Sequence, residues 1–440
     1  MYRFFDCIFI VLILFVSIWI RTWKIYYPDS IVFDEYHFGQ FINDYCSHKF
    51  FFDIHPPFFK IIQYLYSQAV LYDGTMDFQM SIGTKYMKND YIAFRLFNAI
   101  LSSLLPSFVF IILKFICKHR ISCILGSIIC CFEVSYICDS RFIMYDGVFL
   151  SLVSLHILVL CSKEFFLKEI CLSFTLGACI SSKLTSLSLI PFTFIVLMRS
   201  KSLLLSAIPC LLSILLFFFC TFWNFLLLPY SSDDANIYLS PNLFGLLYRN
   251  RSFLSLIKAS LLINNEMHQL NMKNTRFHPY QSSPFSWPFL TGIWVGLWED
   301  NKGFEINMIG NIFTYSASSI SLILILFFFG NGKGSILWCV GWLFSYVPFV
   351  FVRRSVFLYH YFIPLFFSIL NLSCLIDILE SKNRMLMATL LVLTSIFGFF
   401  YWSPFIYGCD IDRFRNRLWF DIWEKGDKRH QTLVNQFFEK

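Results

Sequence analysis

Long apolar segments alternate with short polar segments along most of the chain. A helix that crosses a membrane needs roughly 20 apolar residues. The pattern predicts about eleven such helices, over residues 7–23, 92–113, 121–138, 142–161, 169–183, 184–198, 203–228, 307–330, 335–352, 356–378 and 385–402. Helices are expected because open sheet edges leave backbone polar groups unpaired in lipid. The pattern therefore predicts an all-α polytopic membrane protein.

The short polar segments between these helices indicate the orientation of the chain. Lys or Arg occurs in each of five connectors, at 114–120, 163–169, 199–201, 331–333 and 380–384. Short cytosolic loops are enriched in these residues, so the N-terminus is expected in the cytosol. Two long loops, 24–91 and 229–306, then face the opposite side. A single membrane domain is expected over 1–408, followed by a tail over 409–440 on that same side.

Composition supports this class and argues against others. The 440 residues are 57% hydrophobic and 14% charged, whereas a soluble protein carries about a quarter charged residues. The formal charge of +7 is scattered between apolar runs, which is not the basic stripe of a nucleic-acid-binding protein. The 15 cysteines show no spacing typical of zinc sites or disulfide frameworks. Neither a nucleic-acid partner nor a metal site is expected.

The first long loop contains an unusual group of polar residues. Residues 32–60 read VFDEYHFGQFINDYCSHKFFFDIHPPFFK. Asp34, Glu35 and Asp53 are candidate bases, because a carboxylate can take the proton from an attacking hydroxyl. Taken alone, an Asp-Glu pair more commonly caps a helix. Metal binding by His37, Asp53 and His55 is also conceivable, but their spacing matches no familiar metal site.

The sequence His55-Pro56-Pro57 has a structural interpretation of its own. Pro56 favours an extended conformation at His55, and a proline pair is suited to the start of a helix. Residues 58–70 that follow are amphipathic. We expect this stretch to form a helix on the membrane surface.

Several cations lie near the outer ends of the predicted helices, on the side opposite to the Lys and Arg of the short connectors. They are Arg95, Arg141, Lys183, Arg353 and Arg354. Each alone can be explained by a long side chain that reaches the interface. Together they favour an anion held at that face, such as a lipid phosphate, because the planar Arg group can bind two phosphate oxygens. A carboxylate of the first loop would then lie near a phosphate-linked donor.

Several segments resemble the protein O-mannosyltransferase family. VFDEYHFGQF and KFFFDIHPPFFK are similar to the family's first luminal loop. Further similar segments follow in the family's order: YIAFRLFNA (91–99), DSRFIMYDG (139–147), SSK (181–183), HPYQSSPFSWPF (278–289), MIGN (308–311), RSVFLYHYFIP (354–364) and SPFIYG (403–408). The resemblance covers nearly the whole chain.

The resemblance implies a GT-C class glycosyltransferase of the endoplasmic reticulum membrane with its active site in the lumen. The implied reaction transfers mannose from dolichyl-phosphate mannose to Ser or Thr hydroxyls of secretory proteins, with inversion. Asp34 matches the family's proposed base, and Glu35 lies beside it. The implied partners are the donor, acceptor polypeptides, membrane lipids and a related mannosyltransferase in a homo- or heterodimer. No cofactor besides the donor is expected.

The resemblance also suggests roles for other residues. Candidates for contacts with the donor are Arg95, Arg141, Lys183, Arg354, His360 and Tyr361. Candidates for the acceptor side of the first loop are His37, Asp53, His55, Pro56 and Pro57. One departure is large: relatives usually carry a β-trefoil MIR domain in the second luminal loop, and residues 229–306 have no room for it. Smaller departures are Ser283, Pro284, Ile312 and Thr185.

Other functions stay open at this point. The chain could be another polyprenyl-phosphate-sugar transferase of the same fold that acts on a lipid or glycan acceptor. It could be a transporter or scramblase, although no inverted repeat is visible. It could also be an inactive subunit that stabilises a partner, although Asp34 and Arg95 are both retained.

Overall fold

Helices form most of the structure, a computed structural model that describes residues 4–78, 81–273, 278–325, 327 and 333–423. The α-helices are α1 Phe4–Thr22, α2 Glu35–Cys46, α3 Phe58–Ala69, α4 Asp90–Ser102, α5 Leu105–Ile116, α6 Arg120–Cys131, α7 Val134–Ser140, α8 Asp146–Cys161, α9 Lys168–Ile180, α10 Leu189–Met198, α11 Leu203–Leu227, α12 Asp233–Tyr238, α13 Pro241–Phe244, α14 Phe253–Lys273, α15 Ile312–Leu324, α16 Lys333–Val350, α17 Phe362–Asp377, α18 Ser381–Tyr407 and α19 Ile411–Phe414. A π-helical turn covers Gly245–Arg249. The 3₁₀ segments are Leu184–Ser188, Pro284–Phe289, Leu358–Tyr361, Arg415–Arg417 and Asp421–Trp423.

Several helices are suited to a membrane. Among the described residues, five segments are long and apolar enough to cross it: Phe4–Thr22, Asp90–Ile116, Leu203–Leu227, Leu358–Asp377 and Ser381–Tyr407. The pair α6 and α7, bent by 51°, would add a sixth. Shorter apolar helices are Asp146–Cys161, Leu184–Met198, Ile312–Leu324 and Ile336–Val350. The expected polytopic helical membrane protein is confirmed, while the count of eleven spans stays a prediction for the shorter helices.

A small antiparallel sheet lies beside the helices. Its strands are β1 Val295–Glu299, β2 Phe304–Met308 and β3 Cys409–Asp410, in the order β1-β2-β3. The prediction of a helix from residue 307 is therefore wrong at its start, since α15 begins only at Ile312. Residues 304–308 read FEINM, whose alternation of apolar and polar residues is typical of a strand. Because β3 pairs with β2, the segment after residue 408 continues the same body.

The predicted tail and two other predicted features extend beyond the described part of the chain. Residues 424–440 of the tail lie outside it, as do residues 331–332 of the connector at 331–333 and most of 326–330 in the span predicted to end at 330. The tail residues that are described pack on the second loop, where the Trp423 indole Nε1 donates to the carbonyls of Leu290 and Gly292, both at 3.1 Å.

The centre of the bundle is the segment Leu358–Asp377, whose most apolar part is 94% buried. Helix α17 packs against α5, α6, α15 and α16. Its N-terminal end lies near the start of α8 and the end of α9, because Tyr359 and Asp146 line one cleft together with Lys183. The ends of several membrane helices thus meet at one place, and the first loop covers it.

Two packed helices, α2 and α3, shape the first loop. Gly39 lets α2 approach the loop closely, because a Cβ there would lie 2.2 Å from the ring of Phe78. Helix α3 begins directly after the proline pair, with Pro57 at its N-cap position, as the sequence predicted. Its buried face includes Phe59, Lys60 and Ile61 and packs on protein. Its position on a membrane surface stays a prediction.

Candidate active site

A cleft with an empty volume of about 480 Å³ lies between the first loop and the ends of the membrane helices. We call it the polar cleft. Its lining residues are Asp34, Phe38, His55, Phe59, Tyr145, Asp146, Phe149, Ser182, Lys183, Arg354, Tyr359 and His360. The structure therefore brings together five of the residues that the sequence singled out, namely Asp34, His55, Lys183, Arg354 and His360. Carboxylates and cations share this one space with aromatic rings.

Asp34 lies at the N-cap position of α2, but its carboxylate does not cap the helix. The backbone carbonyl of Asp34 accepts the N–H groups of His37 and Phe38, both at 3.0 Å. Within the described residues, its carboxylate takes part in no hydrogen bond and no ion pair. The interpretation of this Asp as a simple helix cap is therefore wrong. The carboxylate instead lines the polar cleft.

Burial is the main reason why the pKa of the Asp34 carboxyl is raised, to about 6. The neighbouring charge of Asp146 raises it further, while His37 and Lys183 act in the opposite direction. A carboxylate that is unpaired and half-buried is a stronger base than an exposed one. Near neutral pH it would still be largely ionised and able to accept a proton.

A tight turn holds Asp34 in place. The preceding residue, Phe33, has φ +41°, a conformation that a bulky side chain rarely adopts. Such strain persists only where the surroundings fix the backbone. Here the N–H of Phe33 donates to the carbonyl of Leu297 at 3.0 Å, and the N–H of Val32 donates to the Glu35 carboxylate at 3.0 Å.

Glu35 belongs to this turn and not to the cleft. Its side chain is fully buried and forms a two-pronged ion pair with Arg95, with both N···O distances at 2.7 Å. Its oxygens also accept the Tyr86 hydroxyl and the N–H groups of Val32 and Ile143, each at 3.0 Å. Every lone pair that could act as a base is engaged. The structure does not support Glu35 as a catalytic group.

The guanidinium of Arg95 is likewise fully occupied by hydrogen bonds within the protein. Besides the two bonds to Glu35, its guanidinium donates to the carbonyls of Ile25, Pro28 and Ser30 at 3.3, 2.7 and 3.1 Å. All five of its N–H groups thus have protein acceptors, and the side chain is fully buried. The expectation that Arg95 contacts a donor phosphate is not supported by this position. It ties the start of α4 to the backbone that precedes Asp34.

Arg141 also points away from the polar cleft. Its guanidinium donates to the carbonyls of Arg21, Trp23 and Lys24 at 3.0, 2.5 and 3.2 Å, and it lies 4.4 Å from the centre of the Tyr407 ring. The residue is almost wholly buried. The predicted contact of Arg141 with a phosphate is likewise not supported, because its guanidinium binds backbone carbonyls at the C-terminal end of α1.

Lys183 and Arg354 do line the polar cleft. The ammonium of Lys183 pairs with the Asp146 carboxylate at 2.6 Å and lies 5.2 Å from the centre of the Tyr359 ring. Arg354 lies 3.3 Å from Nε2 of His360. Since a guanidinium can only donate, this contact requires the His360 Nε2 to accept. The Nδ1 of His360 lies 3.1 Å from the backbone nitrogen and 3.2 Å from the carbonyl oxygen of Phe357, and with Nε2 as acceptor Nδ1 carries the ring proton and donates to that carbonyl.

Tyr361 is fully buried behind this wall. Its hydroxyl accepts from the Trp342 indole at 3.1 Å, and its ring stacks on Tyr315 with 5.7 Å between the ring centres. It is not among the residues that line the polar cleft. Of the His-Tyr pair, only His360 therefore faces the cleft.

The other candidates of the first loop serve different purposes. Asp53 forms a buried ion pair with Lys60, and its carboxylate also accepts the His55 N–H at 3.1 Å. Burial alone would raise the pKa of Asp53, but the charge of Lys60 and these bonds hold it below its ordinary value. Burial lowers the pKa of His55 to about 3, so this ring is neutral at physiological pH. His37 is exposed and its ring contacts Tyr36.

Metal binding receives no support from this arrangement. Across residues 4–78, 81–273, 278–325, 327 and 333–423, no three His, Cys, Asp or Glu side chains are grouped to hold an ion. Pro56 and Pro57 are buried at the start of α3, and neither lines the polar cleft.

Sequence reasoning did not assign Tyr145, Asp146 and Tyr359 to the site, although all three line it. Asp146 carried a usable signal, because an acidic residue that opens an apolar helix on the same side as Lys183 can pair with it. Tyr145 and Tyr359 carried none, since aromatic residues are frequent throughout this chain.

Two family models match the sequence. Residues 10–232 match the model described as dolichyl-phosphate-mannose-protein mannosyltransferase. The chain belongs to this family. Residues 252–332 and 330–423 match the model of the C-terminal four-transmembrane region of protein-O-mannosyltransferase. The resemblance that the loop motifs suggested is thereby confirmed, and this chain is a family member over most of its length.

Named relatives of this mannosyltransferase family member share short matched segments with it. Dolichyl-phosphate-mannose–protein mannosyltransferase 4 of Schizosaccharomyces pombe is 37% identical over 158 residues, which are 36% of this chain and 20% of the relative. Mannosyltransferase 4 of Saccharomyces cerevisiae is 34% identical over 171 residues, 38% of this chain and 22% of the relative. The matched segments thus span about a fifth of the length of these relatives.

Solved structures show the fold. A chain of the Saccharomyces cerevisiae protein O-mannosyltransferase Pmt1-Pmt2 complex bound to the sugar donor matches with a TM-score of 0.86 and 16% identity, over 100% of this chain and 95% of that chain. The Archaeoglobus fulgidus oligosaccharyltransferase AglB matches with a TM-score of 0.51 and 10% identity, over 92% of this chain and 55% of that chain. The GT-C membrane fold that the resemblance implied is confirmed.

Proposed function

We propose that this chain transfers mannose from dolichyl-phosphate mannose to Ser or Thr hydroxyls of proteins. The observation that carries the proposal is the arrangement of the polar cleft, where the unpaired carboxylate of Asp34 shares one space with Lys183 and Arg354. Membership of the mannosyltransferase family supports the choice of donor. No cofactor besides the donor would be needed, because Lys183 and Arg354 supply the positive charge that stabilises a leaving phosphate.

The proposed reaction is a single displacement. The acceptor hydroxyl gives its proton to Asp34 as its oxygen forms a bond to the anomeric carbon of mannose. The bond from that carbon to the phosphate oxygen breaks, and dolichyl phosphate leaves with the electron pair. Asp146, the other carboxylate among the described residues that line the polar cleft, is held in an ion pair with Lys183, so no second free carboxylate is offered there as a covalent nucleophile. One base and direct attack favour inversion at the anomeric carbon.

The donor would bind at the Lys183 side of the polar cleft. An adjoining cavity of about 320 Å³ shares Asp146, Phe149, Lys183, Tyr359 and His360 with it and is otherwise mostly apolar. The further residues of its wall are Leu150, Thr185, Ser345, Phe349, Phe362 and Ile363. A phosphate at the junction could contact Lys183 and Arg354 while the lipid chain enters the apolar part. His360 would orient Arg354 through their contact.

Replacing Lys183 with Met is expected to raise the donor KM by roughly 10- to 100-fold, because a hydrogen bond to a charged group contributes about 1.5–3 kcal/mol. Steady-state kinetics with varied dolichyl-phosphate mannose would measure this. Lys183→Arg keeps the charge and should recover most of the loss. Lys88→Met is the matched control, since Lys88 forms an exposed ion pair with Asp73 within the first loop, away from the polar cleft. An unchanged donor KM in Lys183→Met would contradict the proposed phosphate site.

The activity is expected to fall as the pH drops through about 6. Asp34 acts as a base only when ionised, and its pKa is raised to about 6. One unit below that pKa, at about pH 5, kcat/KM should be roughly tenfold lower than its plateau. Initial rates between pH 5 and 8 would locate the midpoint. A midpoint near 4, or none in this range, would argue against Asp34 as the base.

The deciding assay combines membranes that contain this chain, labelled dolichyl-phosphate mannose and a peptide rich in Ser and Thr. Mannosyl-peptide formation is the expected result. Transfer of label to lipid or oligosaccharide acceptors alone would favour the second candidate, another polyprenyl-phosphate-sugar transferase of the same fold. Release of free mannose without any acceptor would support neither function.

We further propose the setting of this activity. Lys and Arg in the short connectors support an endoplasmic reticulum orientation with the polar cleft in the lumen. The likeness to a chain from a two-subunit complex supports action as a dimer with a second copy or a related mannosyltransferase. The described part of loop 229–306 consists of helices, turns, strand β1 and the first residues of β2, which supports the prediction that it holds no β-trefoil insertion. Acceptor binding would then depend on the membrane domain itself.

A further inference from the structure

A second cleft, with an empty volume of about 340 Å³, adjoins the polar cleft at His55. We call it the aromatic cleft. Its lining residues are Phe50, Phe51, Phe52, Asp53, His55, Pro57, Lys60, Thr221, Asn224, Phe225, Ile263 and Met267. His55 is the residue that lines both clefts. Lys183 and Arg354 line the polar cleft but not the aromatic cleft.

The walls of the aromatic cleft are formed in advance by packing that does not depend on a ligand. Phe50, Phe225, Ile263 and Met267 belong to one hydrophobic cluster that joins the first loop to α11 and α14. Phe52 stacks on Tyr238 with 5.2 Å between the ring centres. Because these rings are fixed by their neighbours, an apolar group entering the cleft would lose little freedom in the protein.

The charges that face the aromatic cleft cancel. Lys60 pairs with Asp53 and also donates to the His55 carbonyl at 2.7 Å. The third ionisable group that lines the aromatic cleft is the His55 ring, which is neutral because burial lowers its pKa to about 3. A charged side chain would therefore find no counter-ion here and would lose its hydration. The cleft suits an uncharged, apolar side chain.

One polar group is left available for a peptide. The Asn224 Oδ1 accepts from the hydroxyl of Tyr45. Its Nδ2 has no protein acceptor among the described residues, although Asn224 lines the cleft. An amide N–H of this kind can donate to a backbone carbonyl. Apolar walls with a small number of placed polar groups are typical of ligand-binding pockets.

The position of the aromatic cleft favours the acceptor over the lipid. The accepting hydroxyl must reach Asp34, which lines the polar cleft together with His55. Neighbouring Cα atoms of a peptide are 3.8 Å apart, so the residue next to the accepting Ser or Thr must lie in or beside the polar cleft, and His55 connects that cleft to the aromatic cleft. The lipid chain has its own apolar cavity on the Lys183 side.

We propose that the aromatic cleft is an acceptor subsite that binds an uncharged apolar side chain directly beside the accepting Ser or Thr. This inference rests on the proposed mannosyl transfer to peptides and adds a sequence preference to it. The wild-type protein should use a peptide with Phe or Leu beside the acceptor Thr more efficiently than the same peptide with Gly or Glu there. Burial of one such side chain predicts a kcat/KM ratio of roughly ten- to a hundredfold.

The test measures this ratio in wild type and in variants, with the Phe, Leu, Gly or Glu placed either before or after the Thr. Ile263→Trp would fill the cleft from α14 and should lower the Phe-to-Gly ratio about tenfold or more. The neighbouring Leu262→Trp adds the same bulk at a position that is 36% exposed and should keep the wild-type ratio. Phe52→Ala removes one wall and should lower the ratio even where the Trp variant fails to fold.

The outcomes are distinguishable. If the wild type forms no mannosyl-peptide at all, the proposed function fails and the subsite fails with it. If the wild type mannosylates all the peptides equally well, or if Ile263→Trp and Phe52→Ala keep the ratio, the subsite alone is overturned. If the variants instead raise the KM for dolichyl-phosphate mannose, the cleft holds the donor lipid and the peptide assignment is wrong.

Discussion

Replacing Asp34 with Asn is expected to reduce the rate of mannosyl transfer by about 10²- to 10⁴-fold, the range over which a positioned general base contributes. The amide keeps the shape of the side chain but cannot take a proton. The Asp34 carboxylate has no partner among the described residues, so its removal breaks no bond of the fold. The expected defect is therefore in kcat, with the donor KM close to that of wild type.

The same substitution should not reduce stability, which separates it from a structural defect. The folded pKa of Asp34 is about 6 and its ordinary value is 3.8. A raised pKa means that the folded state favours the protonated form, so the contribution is favourable at low pH and is lost as the pH rises through about 6. At pH 7.5 the variant should be at least as stable as wild type, with a gain of no more than about 3 kcal/mol. Thermal unfolding in detergent at pH 5 and 7.5 would measure it.

Asp44→Asn is a matched control for this experiment. Asp44 lies on the same helix α2, and its pKa is also raised to about 6, chiefly by burial. It accepts a hydrogen bond from Gln40 at 3.0 Å and does not line the polar cleft. Its substitution should leave kcat near that of wild type. If Asp34→Asn retains full activity while folded, Asp34 is not the base.

The sequence predicted the outline of this molecule well because its main signals are local. Apolar runs mark the helices, and the proline pair marks the start of α3. The motif around Asp34 also singled out a carboxylate that lines the polar cleft, and its role as the base stays a prediction. Each of these features can be seen within about 20 neighbouring residues.

The roles of individual charges could not be predicted in the same way. Arg95 and Lys183 look alike in sequence, as cations near the outer ends of apolar runs. The difference lies in contacts across long separations, since Arg95 binds Glu35 from 60 residues away and Lys183 faces the cleft from the end of α9. The role of Arg141 could not be predicted for the same reason, because its guanidinium binds the backbone carbonyls of Arg21, Trp23 and Lys24, more than 100 residues away in the chain. Strand β2 was missed because its five residues lie across the predicted boundary between the second loop and the helix predicted from 307, and its pairing with β1 and β3 depends on contacts with other parts of the chain.

Replacing Arg95 with Ala is expected to destabilise the protein by about 3–5 kcal/mol, the usual cost of leaving one partner of a buried ion pair without the other. The carboxylate of Glu35 would remain fully buried with no cation beside it. Three backbone carbonyls, of Ile25, Pro28 and Ser30, would also lose their donor. The predicted defect is therefore in folding, with low protein yield and a lower unfolding temperature.

Three further variants separate this role from binding of the donor phosphate. Arg95→Lys keeps a charge beside Glu35 and should recover part of the stability. Glu35→Gln removes the other partner and should also destabilise, although Glu35 lines no part of the polar cleft. Arg415→Ala is the control, because Arg415 pairs with Asp412 at an exposed position, where such a pair contributes only about 0–1 kcal/mol.

The measurement pairs the unfolding temperature with the donor KM of whatever folded protein remains. If Arg95 holds the turn before Asp34, the unfolding temperature falls in both Arg95→Ala and Glu35→Gln. The surviving folded molecules then bind the donor with a KM close to that of wild type. A normal unfolding temperature in Arg95→Ala, together with a strongly raised donor KM, would instead indicate that Arg95 binds the donor phosphate. The buried pair at 2.7 Å favours the first result, because a guanidinium with all five donors engaged has none left for a phosphate.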